Sequence, residues 1–254
     1  MVTTATPAPE APAPDSSNSF SRVFGVIFSP KSTFASIAAR PTWILPVIIS
    51  ICLGLGFTFA IAKRIGWHDV VEKQMANNAR AQKQMDQLPA DQREQAINTQ
   101  AKVTSISFYV GSVVAPFAGV LLFAAVFMGI FNAILGAQIR FKSALGVMSY
   151  AWIPQLILAL FAILILFLKD PSTIDVQNIV ASNPGAVLPE DSARWLVALL
   201  TSIDLFSFWT IITMAFGYSA TDPKKISFGK AFGTVFGLWL IYVLVKVGFT
   251  AAFS

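Results

Sequence analysis

Two ionisable side chains stand inside long apolar stretches of this 254-residue sequence. Asp204 lies in ARWLVALLTSIDLFSFWTIITMAFGYSA, residues 193–220, and Lys246 lies in the last stretch, about 231–253. A carboxylate near the centre of a bilayer costs about 2.5–3.5 kcal/mol on the insertion scale, so Asp204 must face protein or water. Thr201 and Ser207 lie three residues to either side of it, and on a continuous helix they share its face and can hydrogen-bond it. Lys246 is the candidate counter-ion, because antiparallel neighbours bring the two residues to similar depth. Two kinds of chemistry follow. One is a proton or solute path through the carboxylate; the other is a hydrogen bond or ion pair that fixes one helix against the next. Gln155 and Asn132, polar but uncharged, read as glue between helices.

The sequence offers no catalytic set and no metal set. It has no Gly-rich phosphate loop and no nucleophile elbow. The single cysteine, Cys52, excludes an internal disulfide framework, and the single histidine, His68, falls in a polar connection and reads as a surface residue. The expectation is therefore a non-enzyme without cofactor.

The composition says where such side chains must sit. Hydrophobic residues make up 55% and charged residues 12%, with a mean hydropathy of +0.66. The apolar residues form long runs and the charges stand between them, which is the pattern of a multi-pass membrane protein. The net charge of +5 is spread through short connections, so it speaks for bilayer orientation and anionic lipid rather than nucleic acid.

Residues 1–17 are Pro/Ala-rich and read as a disordered tail with no signal peptide. In 18–40, Phe20, Val23, Phe24, Ile27 and Phe28 share one helical face, with Arg22 and serines on the rest. Ser29-Pro30 then starts a second helix. Arg40-Pro41-Thr42-Trp43 follows, so the segment reads as an interfacial amphipathic element in the headgroup layer. Five spans are expected at about 42–62, 106–135, 144–168, 193–220 and 231–253, with a polar helical hairpin over 63–104 broken at Leu88-Pro89. Gly111, Ala115 and Gly119 in the second span, and Gly229, Gly233 and Gly237 at the fifth, recur every four residues and offer close-packing faces. Pro116 is a possible kink in the second span.

Five spans put the termini on opposite sides. Placing the N-terminus in the cytoplasm puts Arg140, Lys142, Lys224, Lys225 and Lys230 inside against Asp222 alone, although the long 63–104 segment is itself basic. The expected partner is the lipid bilayer; a membrane or cytoplasmic protein and a second copy of the chain are further candidates.

The segments FSRVFGVIFSPKSTFASIAARPTWILPVII, ALGVMSYAWIP and IDLFSFWTIITMAFGYSA together resemble the Yip domain, a membrane domain of the Ypt/Rab-interacting-protein type. The resemblance covers about residues 20–250. It implies an all-α polytopic protein with a cytoplasmic N-terminus. Eukaryotic relatives work with small GTPases in vesicle traffic and membrane shaping. The short N-terminus and the fourth-span motif are more similar to the prokaryotic branch, which implies a bacterial inner membrane. Phe206-Ser207 stands where the eukaryotic branch has an aromatic-Gly-Pro motif.

Overall fold

The computed structural model describes residues 18–76, 79–176, 178–189 and 192–253. The expected disordered tail, residues 1–17, lies outside them. The described residues form helices and no strand.

The chain opens with two ten-residue helices, α1 (Ser19–Phe28) and α2 (Pro30–Ala39). Asn18 caps α1 by accepting from the Ser21 amide at 2.8 Å, and Pro30 starts α2, where its missing N–H is no loss. The two form a hairpin locked by Arg22. Its guanidinium donates to the Arg40 carbonyl (2.8 Å), Thr42 Oγ1 (3.1 Å) and Ser36 Oγ (3.0 Å). Arg22 is therefore buried, not on a solvated face as its place in the helical wheel suggests. The exposed stripe of α1 is instead Phe20, Phe24 and Phe28.

α2 turns one face inward and leaves Lys31, Ser32, Ala35 and Ala39 exposed on the other. Phe34 and Ile37 are fully buried, and α2 packs against two later helices. Within 18–40, α1 thus turns an apolar edge outward, and α2 packs its Phe34 and Ile37 face into the bundle.

Helix α3 (Ile44–Arg64) is the first span. Two short helices follow, α4 (Trp67–Ala76) and α5 (Ala79–Asp86), and then the 46-residue α6 (Ala90–Leu135). The polar first part of α6 runs into its apolar part without interruption, and the helix continues through Pro116. α4 packs on α6 through Val70 and Val71 and through Trp67, whose ring lies 5.1 Å from that of Phe108.

The third span has two parts, α7 (Phe141–Ala151) and α8 (Ile153–Leu168), joined at Trp152. α9 (Arg194–Ser202) and α10 (Leu205–Thr221) form a pair bent by 45°, and α11 (Phe228–Phe253) ends the chain. Among the described residues, four helices are long and apolar enough to cross a membrane, and five when the bent pair is one span.

The main core sits towards one end of the bundle. Phe34, Phe131, Val147, Tyr150, Ala215, Tyr218 and Ala231 are all fully buried there, and every residue from Ala144 to Ala151 is buried. At that end Lys225 Nζ donates to the Gly136 carbonyl, and the Gln138 amide donates to Asp222 at 3.4 Å. At the opposite end Arg64 Nε donates to the Leu166 carbonyl at 2.9 Å, and Lys73 Nζ donates to the Pro171 carbonyl at 3.2 Å.

Candidate functional site

The sequence places Asp204 in the middle of one continuous span; the structure does not. Helix α9 stops at Ser202, and Asp204 takes an extended backbone (φ −109°, ψ 138°) as the N-cap of α10. Its Oδ1 accepts from the Phe206 amide at 2.9 Å and the Ser207 amide at 3.0 Å. These are N–H groups that a helix start leaves without intrahelical partners. A carboxylate among them also meets the positive end of the helix dipole. The cost of burying Asp204, which is 8% exposed, is offset by the backbone of its own helix.

A second support comes from the 169–192 connection. Ser182 Oγ donates to Asp204 Oδ2, and the Ser182 carbonyl accepts the Leu205 amide at 3.1 Å. The connection is held in shape by the Asn178 and Asn183 side chains, which bond each other, and by Gly185, which lies against Thr201. A Cβ on Gly185 would stand 2.6 Å from Thr201 Cγ2, so only glycine allows this approach. Farther along, Asp170 caps a 3-10 turn, Pro171–Thr173. The Ser172 hydroxyl and amide hold its carboxyl below the ordinary carboxylate value.

The remaining expected neighbours are distributed differently. Thr201 Oγ1 donates to the Val197 carbonyl at 2.7 Å, within its own helix, and not to Asp204. Ser207 serves Asp204 through its amide. Lys246 Nζ, the candidate counter-ion, donates instead to Ser202 Oγ at 3.0 Å, a lysine–serine contact from α11 to α9. The reason is the bend, which gives Asp204 amide donors of its own and leaves Ser202 facing α11.

Gln155 Nε2 donates to Thr210 Oγ1 at 3.1 Å, which ties α8 to α10. Thr213 Oγ1 donates to the Ala151 carbonyl at 2.8 Å, at the point where α7 ends. A helix end has carbonyls without intrahelical partners, and a threonine on the neighbouring helix supplies one. The rings of Phe206 and Phe161 lie 6.2 Å apart. α10 therefore runs antiparallel to α7–α8, and Phe206, two residues after Asp204, lies beside Phe161 of α8. Asn132 does not bridge helices. It closes the α6–α7 turn by exchanging hydrogen bonds with Ile139 (2.9 and 3.1 Å).

The small-residue faces are not where this chain's helices meet. A Cβ on Gly111, Gly229, Gly233 or Gly237 would find nothing within 4 Å, and Ala115 is exposed. Gly119 alone of the six meets a neighbour, the Trp152 ring, at 3.1 Å. α11 turns its Ala231, Val235 and Val243 edge inward instead. Close approaches are at Gly25 against Thr33, Gly54 against Ser112, Gly146 against Pro41 and Gly217 against Val147.

His68 is not in a loop but in the first turn of α4, exposed, 3.7 Å from Asp69 and 3.9 Å from Glu72. These three are the one group among the described residues able to present three ligand atoms to a metal.

The site is thus a set of caps and hydroxyl bridges at two helix breaks, one at Trp152 and one at Ile203-Asp204. Sequence reasoning missed Ser182 and Thr213, which act across long separations. Asp204 did carry a signal, being an N-cap residue type ahead of an apolar run.

No curated protein and no solved structure matches the chain. The family model described as the Yip1 domain matches residues 24–249, from α1 almost to the end of α11, and the chain belongs to the Yip1 domain family of membrane proteins.

Proposed function

We propose that the chain is a non-enzymatic organiser of the membrane that contains it, a bacterial inner membrane, with its N-terminus in the cytoplasm. The observation that carries this reading is the α1–α2 hairpin. Arg22, Val26 and the buried face of α2 fix the hairpin to the bundle, and Phe20, Phe24 and Phe28 project from its outer side. A rigidly held aromatic stripe lying along the surface displaces headgroups in one leaflet only, which is how an interfacial helix bends a bilayer. The basic residues Arg140, Lys142, Lys224 and Lys230 at the same end of the bundle support the cytoplasmic orientation.

The second reading, a proton-coupled or small-solute transporter built on Asp204, has less behind it. Both carboxylate oxygens already accept from protein donors, Phe206 and Ser207 on one and Ser182 on the other. That arrangement supports a structural role for the acid. Reconstitution at rising protein density tests the proposal: liposomes become smaller or tubular as density rises. Vesicles of unchanged size, with an Asp204-dependent proton flux, would favour the transporter.

A further inference from the structure

We propose that α1 and the basic side chains beside it form a docking surface for anionic phospholipid headgroups in the leaflet where α1 lies. The inference rests on the membrane-organising reading and specifies which lipid it engages. Phe20, Phe24 and Phe28 recur every four residues and are 59%, 51% and 79% exposed, so one edge of α1 is aromatic along its whole length. The opposite edge is anchored by Arg22, 4% exposed, through hydrogen bonds to Ser36, Arg40 and Thr42. The helix cannot roll to hide its phenylalanines, and lipid hydrocarbon removes the cost of leaving such an edge in water.

The charge at this end complements a particular headgroup. Lys31, three residues beyond Phe28, is exposed in the first turn of α2. Arg40 is exposed where α2 leads into the first span, and Lys142 is exposed one turn before Gly146, which lies against Pro41. Asp222, the acid described at this end, already accepts from the Gln138 amide. A layer of cations just above an inserted aromatic edge meets the phosphates of the same leaflet. Each such cation near an anionic surface raises binding by about five-fold.

The test uses the full chain reconstituted in vesicles of phosphatidylcholine, with or without phosphatidylglycerol. Cys52 is replaced by Ser, and Phe24→Cys carries a nitroxide. Collisional relaxation then reads the depth of α1, and native mass spectrometry reads which lipids stay bound. The expected result has the label in hydrocarbon, with phosphatidylglycerol retained over phosphatidylcholine. The combined Lys31→Ser, Arg40→Ser and Lys142→Ser variant lowers that preference about five-fold per charge, and Lys31→Arg, Arg40→Lys and Lys142→Arg restores it. A label in hydrocarbon with no lipid preference would overturn the headgroup proposal and leave the membrane-organising reading standing. A label in water in both vesicles would overturn both, and would point to a protein partner on the aromatic edge.

Discussion

Ser182 and Asp204 face each other across the break in the fourth apolar stretch: the Ser182 hydroxyl donates to the carboxylate, and its carbonyl accepts the next amide, that of Leu205, at 3.1 Å. Two separate segments, the 169–192 connection and the start of α10, are joined by both side chain and backbone. The contact lies at the 45° bend between α9 and α10, with Gly185 against Thr201 and Lys246 on Ser202 holding the α9 side.

Replacing Asp204 by Ala removes the cap and leaves the Phe206 and Ser207 amides without an acceptor. The expected loss is about 1–2 kcal/mol. Asp204→Asn keeps a capping oxygen and costs less, since Asn caps as well as Asp. Thermal unfolding in detergent checks the order wild type, Asn, Ala. An Asn variant less stable than Ala would show that the charge, not the cap, matters.

Arg22→Met takes away the cation that holds α1 to α2. It leaves the Arg40 carbonyl, the Ser36 hydroxyl and Thr42 short of a donor, at a cost of about 3 kcal/mol. Proteolysis between residues 18 and 43, followed over time in nanodiscs, measures the release of the hairpin. Protection equal to wild type would contradict the locking role.

Gly217 and Gly233 make a matched pair. A methyl group on Gly217 would stand 2.3 Å from Val147 Cγ1 and 3.1 Å from Phe34, whereas one on Gly233 meets nothing within 4 Å. Gly217→Ala should destabilise by about 1–3 kcal/mol through overpacking, and Gly233→Ala should not. Detergent-phase melting curves separate the two. If Gly233→Ala instead alters the cross-linked dimer yield in membranes, the outer edge of α11 is a contact between copies.

Asp170 supplies a pH dependence. Its folded-state carboxyl titrates below the ordinary value because the Ser172 hydroxyl and amide favour the charged form. Its contribution to the turn is therefore full above the unfolded value and is lost as pH falls through the folded one. The protection of the Ser172 amide relative to its intrinsic exchange rate should fall in acid, and Asp170→Asn should remove that acid-dependent loss while leaving protection in α8 unchanged.

The all-α membrane class was legible because apolar runs long enough to cross a bilayer have few other readings. Pro30 and Leu88-Pro89 were legible as helix boundaries because proline lacks an N–H. The break at Ile203-Asp204 was not. No glycine or proline marks it, and its acceptor is completed by Ser182, twenty-two residues away. Arg22 misled for a related reason, since the carbonyl and hydroxyls that draw it inward belong to the far end of α2 and the start of α3. The glycines of α11 have the spacing of a close-packing face. Only the fold reveals that α11 turns its Ala231 and Val235 edge inward.

The most direct measurement is the shape of liposomes holding wild type or the Phe20→Ser, Phe24→Ser, Phe28→Ser variant at equal density, imaged by cryo-electron microscopy. The three side chains are exposed, so the variant should fold and insert as wild type does. Narrow or tubular vesicles with wild type and large round ones with the variant are the predicted result. The same vesicle shapes for both would contradict the account.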